Sequence, residues 1–302
     1  MVLFELSFFC FLVDFLFESQ AVISLIRWSK PTDFKVTGLV VFRNEASNLP
    51  ALLSSIQSVE SGADNWIFVD DGSSDGGGEL VKKAGFECLQ SEGQGKNDGY
   101  RSAIGRLEHP WVWLIDADVT LGKEALVYLK SGAKDVDVVL GPVPVFGHVL
   151  VRLENAVVGL QSWFWAALGC AYTGCGRNML VKRDHFQEIL LANNAAFGFD
   201  DALVIGTAKV KKLSSPKLSR SAVTNNDLAG FVQQKKRHRA GGKEQTPWPI
   251  SGVVSLFLGT QFMGYVFFLY HLLSGYQELE PIYLVLGSAY ITTKVFTRMR
   301  IG

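Results

Sequence analysis

The sequence is short of charged residues. Only 19% of its 302 residues are Asp, Glu, Lys or Arg, whereas soluble domains carry about 25%. The 29 basic and 29 acidic residues cancel, which argues against a protein that binds nucleic acid mainly through a basic surface. Four cysteines are too few for a disulfide framework in a chain of this length, and they form no pair of Cys-x-x-Cys motifs for zinc.

Two phosphate-binding motifs are also missing. No Gly-x-Gly-x-x-Gly follows the first predicted strand, which disfavours a dinucleotide oxidoreductase, and the sequence has no Walker loop. We interpret the three glycines at 76–78 as a flexible turn.

The missing charge is explained mainly by the C-terminal part of the chain. Residues 250–277 contain no Asp, Glu, Lys or Arg and exceed the roughly 20 residues needed to cross a bilayer. A second apolar run at 281–293 predicts a returning or re-entrant helix. Basic residues occur at 235–239 and 294–300, and acidic ones at 278–280. By the positive-inside rule, both basic flanks are cytoplasmic and the segments form a hairpin.

The N-terminal residues 2–26 are apolar but carry three acids. They predict a membrane anchor with its start outside and Arg27 inside, or alternatively an interfacial helix. We therefore expect an anchor at 1–30, a cytoplasmic domain at 31–246 and a transmembrane hairpin at 247–302. The protein is then an integral membrane protein, and a bacterial inner membrane is its expected location.

Strands and helices alternate in the middle of the chain. This order predicts an α/β fold with a mostly parallel sheet and helices on both faces. The predicted strands are 36–42, 66–70, 86–89, 111–115 and 135–143, and the predicted helices are 45–56, 78–84 and 97–107. An apolar stripe at 149–171 indicates a helix that is either part of the core or interfacial.

Polar clusters follow three of the predicted strands, where open α/β sheets bind their ligands. They are Asn44 and Glu45, Asp70 and Asp71, and Asp116 and Asp118. The last two acids point the same way if the chain stays extended, which suits Mg²⁺ or Mn²⁺ with substrate phosphates. Alternatively they are solvated turn residues. Lys96, at a helix start, is either a phosphate ligand or an ordinary surface lysine.

These clusters resemble the nucleotide-sugar half of family 2 glycosyltransferases, which have the GT-A fold. The resemblance is carried, in the family's order, by Val40–Glu45, Val69–Asp75, Gly95-Lys96, Asp116–Asp118, Gly176–Asn178, Phe199–Asp201 and Gln233–His238. It covers roughly residues 33–240. The resemblance implies a membrane-anchored, bacterial-type member.

The resemblance also implies roles for individual residues. The base and ribose of the donor would be held by Asn44, Glu45, Asp70 and Asp71. Lys96 and Asp116 would contact the nucleotide-sugar, and Asp118, with Asp116 beside it, would bind Mg²⁺ or Mn²⁺.

Further roles fall on the second half of the chain. In the pair Asp200-Asp201, the second acid would be the catalytic base. Gln234 and Arg237 match the Gln-x-x-Arg-Trp motif near the diphosphate and the acceptor. His238 stands where the family has Trp, so an aromatic platform there is in question.

The implied reaction is an inverting transfer of a sugar from a nucleotide-sugar to a lipid, a lipid-linked glycan or a polysaccharide at the membrane. Two alternatives remain at this point. One is an inactive membrane scaffold that keeps the fold, and the other is a nucleotidyltransferase, which also combines an α/β sheet with metal-binding acids. The nucleotidyltransferase would normally have a Gly-rich loop after the first strand, where this sequence has Arg43-Asn-Glu45.

Overall fold

The computed structural model describes residues 31–58, 62–93, 95–141 and 176–192, the short strands at 145–146, 210–212 and 219–222, and the single residues 143 and 166. The predicted membrane segments at 1–30, 250–277 and 281–293 lie outside these residues, as does nearly all of the predicted helix at 149–171. Among the helices in the described ranges, none is both long and apolar enough to cross a bilayer.

The strands of the described residues are β1 Val36–Phe42, β2 Asn65–Asp70, β3 Glu87–Gln90, β4 Trp111–Ile115, β5 Val119–Leu121, β6 Val138–Leu140, β7 Val145–Phe146, β8 Asn178–Lys182, β9 Val210–Lys212 and β10 Ser219–Ala222. The main sheet has seven of them, in the order β3-β2-β1-β4-β8-β6-β9, and a small sheet has the order β5-β10-β7. The helices are α1 Leu49–Ser58, α2 Gly77–Lys83, α3 Lys96–Ala103, α4 Ala125–Gly132 and α5 Arg183–Ala192, and a short 3₁₀ turn, Ile104–Arg106, follows α3.

The central strand β1 shows why the sheet has helices on both faces. All seven of its residues are buried, and successive side chains point to opposite faces. Val36, Val40 and Phe42 join the core formed with α1, α2 and α4. Leu39 and Val41 join the core formed with α3 and α5. The predicted α/β architecture with two helical layers is therefore confirmed.

The sheet is mostly parallel, as predicted, but it contains one antiparallel strand. β1, β2, β3 and β4 pair in parallel, whereas β8 runs antiparallel to both β4 and β6. The sequence pattern did not reveal β8 because it begins with the polar residue Asn178, which is fully buried and accepts a hydrogen bond from the indole Nε1 of Trp113 at 2.8 Å. The strand expected at 135–143 is shorter, Val138–Leu140.

The three glycines at 76–78 are not a flexible turn. Gly76 has φ of 81°, in the left-handed region, and directly precedes α2. Gly77 and Gly78 are buried in the first turn of that helix. A Cβ atom on Gly78 would lie 2.8 Å from Asp70 Oδ2, so a glycine is needed for the helix to approach the end of β2.

Candidate functional site

The loop after β1 is joined to the loop after β2 through Asn44. Its backbone N–H donates to Ser73 Oγ at 3.0 Å. Its Oδ1 accepts hydrogen bonds from the backbone N–H of Ser74 at 2.9 Å and from Ser74 Oγ at 3.3 Å. Asn44 has φ of 56°, a left-handed conformation that Asn adopts more readily than most residues. The predicted site residue Asn44 thus holds two loops together.

Asp75 makes a second connection between the same loops. Its Oδ2 accepts the backbone N–H of Ala46 at 2.7 Å, and its Oδ1 accepts the backbone N–H of Gly77 at 3.0 Å. From the sequence, Ser73, Ser74 and Asp75 were given no role beyond their place in the Val69–Asp75 motif. The available signal was the short polar residue two positions before a helix, since Asp side chains accept nearby backbone N–H groups there.

Asp70 and Asp71 lie at the end of β2 and are each only 6% exposed. Asp70 Oδ1 accepts the backbone N–H of Ser73 at 2.7 Å. Both carboxylate oxygens of Asp71 lie 3.0 Å from the backbone N of Gly95, the residue before α3. The two acids predicted to hold the nucleotide therefore also fix the backbone around the site.

Lys96 is the first residue of α3, which confirms its predicted place at a helix start. Its Nζ lies 2.5 Å from Asp116 Oδ1, in an ion pair whose side chains are 30% and 27% exposed. The ammonium also lies 5.7 Å from the centre of the buried Tyr100 ring. Lys96 is therefore tied to one of the two acids after β4.

The chain does not stay extended from Asp116 to Asp118, so the condition under which the two acids would point the same way is not met. The backbone N–H of Val119 donates to the carbonyl of Asp116 at 3.2 Å, which closes a turn. β4 ends at Ile115, and the N–H of Asp116 donates to the carbonyl of Arg177 at 3.3 Å. The two carboxylates nevertheless remain close enough for the charge of Asp116 to act on Asp118.

Asp118 has the most perturbed carboxylate of the described site. Burial, and secondarily the negative charge of Asp116, raise its pKa to about 6, while Arg177 and Lys96 oppose the shift. Its Oδ1 is buried without a hydrogen-bond partner. Burial also raises the pKa of Glu45, whose Oε2 accepts a 2.6 Å hydrogen bond from Asn48 that acts in the opposite direction. A buried carboxylate oxygen without a donor is suited to bind a cation.

Asp116 and Asp118 supply the hard oxygen atoms that Mg²⁺ and Mn²⁺ prefer. In the described part of the chain, no three Asp, Glu, His or Cys side chains come together to hold a metal. Two carboxylates are enough where substrate phosphates complete the coordination. The Asp118 Oδ1, which has no hydrogen-bond partner, is therefore a suitable ligand for a divalent ion in the turn after β4.

The described structure brings one group of predicted site residues to the carboxyl ends of β1, β2 and β4 and the start of α3. This group is Asn44, Glu45, Asp70, Asp71, Lys96, Asp116 and Asp118. A second group lies outside the described residues, namely Asp200, Asp201, Gln234, Arg237 and His238. Arg177, directly before β8, was quoted in the Gly176–Asn178 motif but was given no role in the site.

Comparison with protein families gives a match at residues 39–162 to the family described as Glycosyl transferase family 2. The poly-beta-1,6-N-acetyl-D-glucosamine synthase of Staphylococcus aureus is 29% identical over 143 residues, which are 45% of this chain and 34% of that protein. The glycosyltransferase AglJ of Haloferax volcanii is 32% identical over 91 residues, 30% of this chain and 29% of its own. The chain thus spans about a third of the length of the curated relatives it matches.

A solved structure is similar to the whole fold. The mannosyltransferase PcManGT from Pyrobaculum calidifontis, in complex with GDP-Man and Mn²⁺, superimposes with a TM-score of 0.59. The alignment covers 99% of this chain and 94% of that one, at 16% identity. At this identity the likeness concerns the fold, and it confirms the predicted GT-A-like α/β architecture.

Proposed function

Because residues 39–162 make this chain a member of glycosyltransferase family 2, we propose that it transfers a sugar from a nucleotide-sugar to an acceptor hydroxyl at a membrane. The observation that carries the proposal is the pair Asp116 and Asp118 at the end of β4. One oxygen of this pair is buried without a donor, and the pair faces Lys96 at a helix N-terminus. Carboxylates beside a cation at a strand end suit a diphosphate with its metal.

The donor nucleotide is assigned to the edge formed by the loops after β1 and β2. Glu45, Asp70 and Asp71 border the space for its base and ribose, and Asn44 keeps the two loops together. Lys96 faces the diphosphate, where the N–H groups in the first turn of α3 add a favourable field for an anion. The burial of Asp70 and Asp71 supports this assignment because it leaves their positions well defined.

The metal is assigned to Asp118 with Asp116, and Mg²⁺ or Mn²⁺ is the expected ion. When bound, such an ion stabilises the negative charge that develops on the departing diphosphate. The partnerless oxygen and the raised pKa of Asp118 support this role. The solved mannosyltransferase with the similar fold contains Mn²⁺.

The transfer itself is a single displacement. The acceptor oxygen forms a bond to the anomeric carbon as the bond from that carbon to the diphosphate breaks, with inversion. Asp201, preceded by Asp200, takes the proton of the acceptor hydroxyl as general base. Gln234, Arg237 and His238 are assigned to the diphosphate and the acceptor, and a positive charge at Arg237 would further favour departure of the diphosphate.

The acceptor is proposed to be a lipid, a lipid-linked glycan or a polysaccharide, with the catalytic domain on the cytoplasmic side of a bacterial inner membrane. The uncharged run at 250–277 and the apolar stripe at 149–171 support a membrane location. The Staphylococcus aureus relative is by name a polysaccharide synthase.

The reaction is tested by measuring nucleoside diphosphate release from a panel of nucleotide-sugars with Mn²⁺ or Mg²⁺ and a membrane lipid extract. We expect wild-type activity, with Asp118→Ala and Asp201→Asn inactive. Asp137→Asn is the matched control, because Asp137 is a partly exposed acid paired with Lys182 and distant in sequence from the site. Unchanged activity in Asp118→Ala and Asp201→Asn contradicts the site assignment. Release of pyrophosphate from a nucleoside triphosphate supplied with a sugar 1-phosphate indicates a nucleotidyltransferase.

The acceptor class is tested separately with the purified full chain. We expect transfer to products that extract into organic solvent, and only when lipid or detergent is present. Equal transfer to soluble sugar acceptors without lipid or detergent contradicts a membrane-borne acceptor while leaving the transferase activity intact.

A further inference from the structure

Lys96 holds one of the two carboxylates assigned to the metal. Its Nζ lies 2.5 Å from Asp116 Oδ1, and its charge also lowers the pKa of Asp118 and of Glu45. A divalent ion on Asp116 would therefore share this carboxylate with an ammonium group. Two cations on one carboxylate repel each other at short distance.

The position of Lys96 in its helix indicates that the acids, rather than the helix, hold it there. α3 has Arg101 in its last turn, where the helix dipole favours a positive charge. Lys96 is at the opposite end, where the dipole disfavours one. The ion pair with Asp116 and the contact with the Tyr100 ring offset this cost.

The other cation near the pair is Arg177, a residue whose backbone is tied to the sheet. Arg177 precedes β8, and its carbonyl accepts the N–H of Asp116, so its backbone belongs to the same sheet edge. Lys96 instead reaches across from α3 on a side chain that is 30% exposed. A lysine ammonium is a point charge on a flexible stem, and it changes partner more easily than a bidentate arginine.

We propose that Lys96 and the divalent ion compete for Asp116, and that Lys96 moves to the donor diphosphate when the ion binds. This inference rests on the proposed function and adds an exchange to it. At Asp118 the negative charges of Asp116 and Glu45 are opposed by the positive charges of Arg177 and Lys96. The positive charge of the bound ion replaces that of Lys96 at Asp116. The Lys96 ammonium group then binds the negatively charged diphosphate.

The test measures Mn²⁺ binding to the full chain, stripped with a chelator and held without nucleotide, by electron paramagnetic resonance of free Mn²⁺. We expect Lys96→Met to bind Mn²⁺ about two- to fivefold more tightly than wild type, the scale of a partly exposed ion pair. Arg101→Met is the matched control, since Arg101 forms a similarly exposed ion pair with Asp98 on the same helix. Its Mn²⁺ affinity should equal that of wild type.

Lys96→Arg separates direct competition from a fold defect, because it retains the charge and can bind Asp116 with two N–H groups. We expect this variant to bind Mn²⁺ no more tightly than wild type. With saturating Mn²⁺, Lys96→Met should bind UDP and GDP at least about tenfold more weakly than Arg101→Met does, since it lacks the charge for the diphosphate.

The outcomes distinguish this inference from the proposed function. If Mn²⁺ binds to wild type and is lost in Asp118→Ala, but Lys96→Met binds it no more tightly than wild type, the competition is refuted and the metal site stands. If wild type binds no Mn²⁺, either alone or with UDP or GDP, both the metal assignment and the competition are refuted.

Discussion

The loops after β1 and β2 and the turn after β4 place carboxylates at the same edge of one sheet. The two regions differ in whether the protein supplies hydrogen-bond donors to these carboxylates. In the first region, Asp70, Asp71 and Asp75 each accept backbone N–H groups. In the second, Asp118 keeps a buried oxygen without a donor and has a pKa raised to about 6. Burial alone therefore does not identify a chemically active acid, and the difference lies in whether the protein supplies the partner.

Acids of the two regions should contribute to folding stability with opposite signs. A hydrogen bond to a charged group contributes roughly 1.5–3 kcal/mol to stability, whereas a buried polar atom without a partner costs about 1–3 kcal/mol. Removing an acid from the first region should therefore destabilise the fold. Removing Asp118 should stabilise the fold and abolish function.

The largest expected effect is at Asp118. Asp118→Asn should lower kcat/KM about 10³-fold, since it removes a charged metal ligand. It should also raise the free energy of unfolding of the chelator-treated protein at pH 7 by about 1–2 kcal/mol, because the uncompensated charge is gone. Urea denaturation and initial rates measure the two quantities. If the variant is inactive and also less stable than wild type, Asp118 stabilises the fold as the acids of the first region do, and the contrast between the two regions is refuted.

The next effect is at Asp71. Asp71→Ala should lower the free energy of unfolding by about 2–4 kcal/mol, because the N–H of Gly95 loses its acceptor where the chain enters α3. Urea denaturation provides the measurement, with Asp137→Asn as the control of small effect. Stability equal to that of wild type would show that Asp71 is as free for ligands as Asp118.

The third effect is a pH dependence with a defined sign. The pKa of Asp118 is about 6 in the folded chain and about 3.9 in the unfolded one, so the folded state favours the protonated form. Its contribution to stability is full below about pH 4 and is lost as the pH rises through 6, by at most about 3 kcal/mol and less where solvent screens the charge.

Urea denaturation of chelator-treated wild type and Asp118→Asn between pH 4 and pH 7 isolates this contribution. The stability advantage of the variant should grow with pH and level off above about pH 7. An advantage that is constant over the range would contradict the raised pKa.

The smallest effect is at Asn44, where side chain and backbone can be separated. Asn44→Gly should lower the free energy of unfolding by about 1 kcal/mol, because Ser74 loses its hydrogen-bond acceptor. The left-handed backbone adds no strain there, because glycine adopts a positive φ readily. Asn44→Ala should cost about 1 kcal/mol more, from the strain of a positive φ. Thermal denaturation of the pair measures the difference. Equal stability of the two variants would mean that the loop relaxes away from this conformation.

The sequence predicted the strands that carry the site better than the turns that shape it. The bounds of β1 and β4 agree with the prediction, because continuous apolar runs buried on both faces leave little ambiguity. Strand β8 and helix α5 were missed. β8 begins with the buried Asn178, which leaves only a short apolar run in the strand, and the partner of Asn178, Trp113, is far away in sequence.

The site was predicted as a set of residues and not as a set of contacts. Strand ends and the family resemblance brought Asp70, Asp71, Lys96 and Asp116 to one edge. Their backbone partners, and the turn that replaces the extended chain after Asp116, depend on hydrogen bonds that no periodicity records. The roles of Asp200, Asp201, Gln234, Arg237 and His238 stay predictions.

The antiparallel pairing of β4 with β8 bears on the order in which the protein folds. The β1, β2 and β3 strands and their loops come from one short stretch of chain, so their closure entropy is small. The carbonyl of Arg177 that holds Asp116 comes from much later in the chain, and such long-range contacts form slowly. In a refolding experiment the nucleotide side of the edge should therefore gain protection from hydrogen exchange first. The acids after β4 should become able to bind Mn²⁺ only when β8 has docked.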